Sequence, residues 1–348
     1  ASDVYKRQVV VRLRHLLVLL AALQLAACGD TPLPKFELTG STMGTTFSIV
    51  LVAPADEIDS AALQAAISAE LANVNALAST WLEDSQLATF NASQSTDWIE
   101  VSSEFCEIVT QALEVCRLSR GAFDITVGPL VNLWGFGPEN DVIEPPDDQL
   151  IESTMALVGY EGLETRCSEP AMRKRNAAMY VDLSGWAKGL AVDRLANLLD
   201  EYALTDYLVE IGGEIRVRGH NADEEKWAIA VEAPSTTVRR PHLVLRLSDA
   251  SVATSGDYRN YFDHDGKHYS HTIDARAGRP VDHDLAAVTV VDESAAFADA
   301  MATALLVLGP EAGPALAETL GVAGFFLVRN ETGIKELTTS EFDKLRNL

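Results

Sequence analysis

The sequence predicts an α+β fold, and three observations carry that reading. Strand-type and helix-type segments are mixed without strict alternation, which argues against a doubly wound parallel sheet. The chain has 348 residues, 47% of them hydrophobic, enough to bury one large core or two modest ones. No internal repeat or low-complexity linker divides it, so a single compact domain over 36–348 is the economical organisation, with a helical lobe at about 59–160.

Taken in order, Phe36 to Val52 reads as two strands flanking Met43-Gly44-Thr45, rich in β-branched and aromatic residues. Asp59 to Trp81 is Ala/Leu-rich at helical spacing, Ser102 to Leu118 is a second helix ended by Gly121, and Asp147 to Leu157 a third stopped by Gly159. A strand is expected at 177–183, a helix at 186–200, and strands at 206–211, 214–218, 227–232 and 242–247. A hairpin near 258–274, a strand at 286–291, helices at 294–308 and 311–320, and a strand at 323–329 complete the chain.

The charge excludes one class of partner. With 27 Lys and Arg against 51 Asp and Glu, the formal net charge is −24, and no run of four basic residues occurs. Nucleic-acid binding is driven by Lys and Arg releasing counterions, so DNA and RNA are set aside.

The N-terminal segment predicts export. Lys6, Arg7, Arg12 and Arg14 precede an apolar run from Leu16 to Ala27. That run is too short to span a bilayer, which needs ~20 residues, and fits a signal peptide over 1–27. Leu25-Ala26-Ala27-Cys28 resembles the bacterial lipobox, in which the cysteine is acylated; an ordinary signal peptide with a chance cysteine is the alternative. Residues 28–35 form a short tether. Loss of 1–27 removes four basic residues and one acidic one, leaving −27. Of the remaining cysteines, Cys106 and Cys116 lie on one helix about 15 Å apart, beyond disulfide reach. A disulfide framework is therefore not expected.

Several stretches could carry chemistry. In Ala295 to Leu308 only Asp299 and Thr303 are polar, and at i and i+4 they share a helix face. A buried carboxylate there answers an Arg or a backbone amide, or joins the hydroxyl in a hard-cation site for Mg²⁺. Val181-Asp182-Leu183-Ser184-Gly185-Trp186-Ala187-Lys188-Gly189 runs from a strand into a helix, and free backbone N–H groups at such a turn favour an anion. Lys188 in the first turn opposes the helix dipole unless an anion sits there too; otherwise the stretch is a Gly-rich connector with a solvated lysine. It lacks the Walker spacing.

The hairpin around Asp265-Gly266 places Asp263 opposite His268 and Asn260 opposite His271, so those histidines occupy opposite faces and do not make a zinc site. His271, where the hairpin ends, is the histidine placed to work on a substrate, with a structural or exposed role as the alternative. Ile211-Gly212-Gly213-Glu214 is a strand interrupted by glycines, either a close approach to a ligand or a bulge. Trp81 and Phe123 each stand beside turn residues, where an aromatic ring could stack on a planar one.

Eight of these segments together, in order, resemble the ApbE family: Met43-Gly44-Thr45; Ser79-Thr80-Trp81 through Phe90-Asn91; Gly121 to Asp124 with Gly128-Pro129; Val181 to Gly189 with Asp193; Ile211 to Glu214; Ala253 to Tyr258; Ser270 to Asp274; and Ala298-Asp299-Ala300 with Thr303. The resemblance implies a T-fold-like arrangement of mixed antiparallel sheets packed with helices. It implies a Mg²⁺-dependent FAD:protein FMN transferase, commonly a periplasm-facing lipoprotein. FAD would lie against Met43, Trp81, Ala122, Phe123, Asp124, Asp182, Lys188 and Ile273. Mg²⁺ would be held by the carbonyl of Gly185, the carboxylate of Asp299 and the hydroxyl of Thr303, and His271 would be the general base. Trp81 stands where the family often has Tyr, and Ala275 and Ala277 where a Pro and a Thr are frequent.

The implied reaction moves FMN from FAD to a Thr or Ser hydroxyl of an acceptor, with AMP leaving. The implied acceptors are membrane redox subunits exposed to the periplasm, reached by an enzyme held at the inner or outer membrane through lipidated Cys28. Two other functions use the same residues: hydrolysis of FAD to FMN and AMP, and storage or delivery of FAD by a lipoprotein without chemistry.

Overall fold

Period-two burial builds the central sheet, and the computed structural model describes it within residues 33–54, 58–137, 144–234, 240–258 and 260–346. The signal segment 1–27, lipobox Cys28 and most of the tether lie outside the described residues. The elements in order are β1 (Lys35–Thr42), β2 (Thr45–Val52), α1 (Ser60–Ala78), α2 (Gln86–Ala92), β3 (Ile99–Glu100), α3 (Ser103–Leu118), α4 (Gly128–Leu133) and α5 (Asp148–Met155). β4 (Leu163–Arg166), β5 (Ala171–Lys174), α6 (Ser184–Glu201), β6 (Tyr207–Ile211), β7 (Glu214–Arg218), β8 (Trp227–Glu232), β9 (Pro241–Leu247) and β10 (Ala250–Gly256) follow. The chain continues through β11 (Tyr261–His264), β12 (Lys267–Ser270), β13 (Ile273–Asp274), β14 (Arg279–Pro280) and β15 (Leu285–Asp292). It closes with α7 (Ala295–Leu320), β16 (Ala323–Asn330), β17 (Gly333–Thr338) and α8 (Ser340–Arg346).

Eight strands form one antiparallel sheet in the order β1-β2-β6-β7-β10-β15-β16-β17. On β2, Phe47, Ile49 and Leu51 enter the main core with α1, α3, α6 and α7, while Val52 faces a second core under the β8–β9 ribbon. Successive strand residues point to opposite faces, so a sheet covered on both sides needs apolar residues at every position. β15 shows this most fully, with Leu285 through Val291 all buried. This is the expected α+β architecture.

Capping and breaks set the helices. Asp59, Ser85, Ser102, Asp147 and Ser294 each accept backbone N–H groups at a helix start. The two helices expected at 294–308 and 311–320 are the halves of α7, broken at Gly309 (φ 79°), just before Pro310.

Three expectations are corrected. Residues 177–183 form no strand, because the Val181 N–H and C=O pair with the Asn91 side chain (both 2.8 Å) instead of with a neighbouring strand. Gly212-Gly213 is not a bulge but the two-residue turn joining β6 to β7, with Ile211 opposite Glu214. Cys106 is disulfide-bonded after all, to Cys167, which ties α3 to the segment between β4 and β5; Cys116 is free, and the 106/116 pair excluded by helix spacing does not form. β10 was absent from the sequence-based elements. Its Ala-Ser-Val-Ala-Thr-Ser-Gly run is too small and polar to read as a strand, yet those small side chains let α7 pack directly on it.

Candidate functional site

α6 and α7 cross where Gly189 meets the start of α7. A Cβ at Gly189 would stand 2.3 Å from the Ala295 carbonyl oxygen, so only glycine permits this approach. Asp193, one turn further along α6, clamps the crossing. Its carboxylate accepts the N–H groups of Ala295 and Ala296 (both 3.0 Å) and the Ser294 hydroxyl (2.8 Å), and pairs with Arg216 (2.6 Å). The clamp fixes where Asp299, one turn into α7, falls relative to α6.

The result is a cleft of about 420 Å³ that gathers every sequence-predicted site residue except Met43 and the undescribed Cys28. Met43 occupies the β1–β2 turn with φ 49° and packs against the main core. Trp81, Ala122, Phe123, Asp124, Asp182, Gly185, Lys188, His271, Ile273, Asp299 and Thr303 all line the cleft.

At its floor is a charged cluster. The Lys188 ammonium lies 3.1 Å from Glu214 Oε1 and 3.3 Å from Asp299 Oδ2, and the Gly189 N–H donates to the same Asp299 oxygen at 3.2 Å. Lys188 is therefore not a solvated lysine, and Asp299 does answer a backbone amide. Among the described residues, the buried Glu214 Oε2 has no hydrogen-bond partner. Burial pushes the Glu214 carboxyl up to about 7, opposed by Lys188 and reinforced by Asp299. Burial works against the Lys188 charge, but the two carboxylates outweigh it and hold its pKa above the ordinary lysine value.

Thr303 Oγ1 hydrogen-bonds with Ser255 Oγ at 2.9 Å and sits 3.7 Å from where a Gly185 side chain would begin. The Gly185 backbone, the Asp299 carboxylate and the Thr303 hydroxyl thus meet in one corner. No group of three or more His, Cys, Asp or Glu side chains suited to a metal occurs among the described residues. The oxygen donors in this corner, with the unpartnered Glu214 oxygen beside them, nonetheless fit a hard divalent cation that takes its other ligands from substrate phosphates and water.

His271 stands across the cleft. Its Nδ1 is 3.0 Å from the Asn260 carbonyl oxygen, which can only accept, so Nδ1 carries the proton and Nε2 the lone pair. Burial and the Lys188 charge lower its pKa against the partial support of that hydrogen bond. The remaining predicted residues divide. Trp81 is 71% exposed at the rim, presented by a turn in which Ser79 Oγ accepts the Trp81 and Leu82 N–H groups. Phe123 is largely buried, with one ring edge against Gly185. Asp124 spends its oxygens on the Thr126 hydroxyl and N–H and the Tyr160 N–H, so it shapes the loop; burial raises its pKa. Asp182 accepts the Ser184 N–H at 2.7 Å at the entry to α6.

Two features escaped the sequence-based site. Glu214 was visible only as the end of a Gly-Gly motif, and its pairing with Lys188 depends on the β6–β7 turn lying beside α6. Lys174, fully buried, donates to the carbonyls of Asn91, Ser93 and Ala177 at 3.1, 2.7 and 2.9 Å, and so braces the Asn91 side chain that holds Val181 just before the site. Its place between two other basic residues, Arg173 and Arg175, gave no sign of burial.

The ApbE family is matched over residues 43–326. A FAD:protein FMN transferase of Vibrio cholerae serotype O1 is 42% identical over 330 residues, covering 95% of this chain and 98% of that protein. The Escherichia coli K12 protein of the same name is 36% identical over 334 residues, covering 93% and 95%. Among solved structures, the flavin transferase ApbE from Vibrio cholerae superposes with a TM-score of 0.84 at 40% identity, covering 90% of this chain and all of that one. The flavinyl transferase ApbE from Pseudomonas stutzeri, in its apo form, gives 0.83 at 38% identity, covering 91% and 98%. The match spans the sheet, the α6–α7 crossing and the cleft between them, and the chain belongs to the ApbE family.

Proposed function

We propose that this protein is a Mg²⁺-dependent FAD:protein FMN transferase. The name its relatives share supports flavin transfer, and one observation carries the reading for this chain. The cleft joins a buried Asp299–Lys188–Glu214 cluster, suited to a metal-bound pyrophosphate, to a histidine whose Nε2 is free to take a proton.

Gly185, Asp299 and Thr303 would hold Mg²⁺, which supplies charge neutralisation at the pyrophosphate. The α6 N-terminus and Lys188 orient the phosphates, and exposed Trp81 offers its face to a planar ring. The acceptor Thr or Ser oxygen bonds to the FMN phosphorus as the bond from that phosphorus to the AMP oxygen breaks. AMP leaves with the electron pair, and His271 Nε2 takes the hydroxyl proton. The acceptors are membrane redox subunits facing the periplasm.

We further propose that the enzyme is exported and anchored at the membrane through Cys28. The basic and apolar N-terminal pattern supports export, as does the Cys106–Cys167 disulfide, since such bonds persist in oxidising compartments. Incubation with FAD, Mg²⁺ and a periplasmic acceptor domain should leave fluorescent flavin on the acceptor in a denaturing gel. AMP release at a rate unaffected by acceptor would make it a hydrolase, and tight FAD binding without turnover a carrier. For the anchor, Cys28→Ala should move the protein from the membrane to the soluble periplasmic fraction.

A further inference from the structure

We propose that Lys188 is an exchangeable counter-ion: in the metal-free protein its ammonium occupies the Asp299 carboxylate that a divalent cation needs, and it withdraws onto Glu214 and the substrate phosphates when that cation binds. The inference rests on the metal reading above and concerns how this chain keeps the site ready.

Four observations support it. The cluster holds two carboxylates and one ammonium, so it lacks a positive charge even with Lys188 in place. Lys188 is the accessible member: its side chain is 28% exposed, against 5% for Glu214 and 4% for Asp299, so a cation arriving through the cleft meets the lysine first. Asp299 does not depend on it for position, because the Gly189 N–H keeps its own bond to Oδ2. The lysine stem also runs past a glycine rather than a side chain: a Cβ at Gly212 would stand 3.3 Å from Lys188 Cδ and 2.9 Å from Thr45 Cγ2, so glycine keeps that side of the stem free of a clash.

A buried carboxylate left without a cation is expensive, so an empty site without Lys188 would be poorly compensated. A flexible lysine with three donors supplies a temporary partner and can turn to a phosphate without leaving the cluster. Cation and FAD then bind cooperatively, because each gives the displaced ammonium or the bare carboxylate its new partner.

The test measures Mn²⁺ binding to the full-length protein by electron paramagnetic resonance, with and without FAD. Without FAD, Lys188→Met should bind Mn²⁺ roughly tenfold tighter than wild type, the size of one charged hydrogen bond removed from competition. The gain should persist in about 0.5 M KCl, where a long-range field effect would be screened. The factor by which FAD tightens Mn²⁺ should shrink in the same variant, and Lys188→Arg should behave as wild type. Lys188→Gln provides the same reading if the Met variant folds poorly. Unchanged or weaker Mn²⁺ binding in both neutral variants overturns the exchange. Asp299→Asn separates the two ideas: if it keeps wild-type Mn²⁺ affinity, the metal assignment itself fails, whereas if it loses Mn²⁺ and Lys188→Met gains none, only the exchange is wrong.

Discussion

Gly189→Ala is the sharpest test of how the site is assembled. The new methyl carbon would lie 2.3 Å from the Ala295 carbonyl oxygen and 2.6 Å from Ala295 C and Ala296 Cα, all of them backbone atoms that no rotamer change can move aside. Reaching ordinary contact requires the helices to part by roughly 1 Å. Overpacking of this kind costs about 1–3 kcal/mol, offset in part by the ~1 kcal/mol that alanine gains over glycine inside a helix. The larger effect should be on activity. Asp299 is carried by α7 and meets α6 through a 3.2 Å bond from the Gly189 N–H, so a shift of that size breaks the bond and misplaces the carboxylate. A misplacement of ~1 Å can lower turnover on the order of 100-fold. Thermal unfolding and the flavinylation assay on one preparation should therefore show a modest fall in Tm and a large fall in turnover. Wild-type values of both would refute the claim that this crossing sets the site.

Other expected outcomes follow from the same geometry. Because the His271 pKa is lowered, its base form persists to more acid pH than an ordinary histidine's; turnover should rise with pH through a value below 6.5 and then level, and His271→Ala should remove that acid limb and lower turnover on the order of 10²–10⁴-fold. An unchanged pH–rate profile would remove His271 as the base. Asp299→Ala should abolish turnover, and chelator should sharply weaken FAD binding measured by flavin fluorescence; equal affinity in chelator would count against the site. Reducing Cys106–Cys167, or replacing Cys167 with Ser, should lower stability by about 2–5 kcal/mol in denaturant titration while leaving the cleft residues untouched.

What was legible in the sequence was what local rules decide. The alternation in Thr45–Val52, the Asp265-Gly266 turn with both residues at positive φ, and the apolar helix broken only by Asp299 and Thr303 each carry their signal within a few residues. What was missed depends on partners far away in the chain. Residues 177–183 have strand composition, but Val181 bonds to a side chain 90 residues earlier, and Cys106 finds its partner 61 residues on.

The apparent conflict between a strongly acidic chain and an anionic dinucleotide resolves inside the cleft. Four acidic residues line it among the described ones, but they are not equivalent in charge available to a ligand. Asp124 is used by Thr126 and Tyr160, and Asp182 by the turn into α6, so both serve as hydrogen-bond acceptors for the loops that carry them. Asp299 and Glu214 are the buried pair at the cleft floor, and one lysine sits between them. A phosphate approaching that pair is repelled by two carboxylates and attracted by one lysine at comparable distances, so the cluster alone disfavours it until another cation enters. The net charge of the chain therefore says little about whether FAD binds. The balance within this three-residue cluster does, and on the proposed reading a divalent cation is expected to raise substrate affinity as well as turnover.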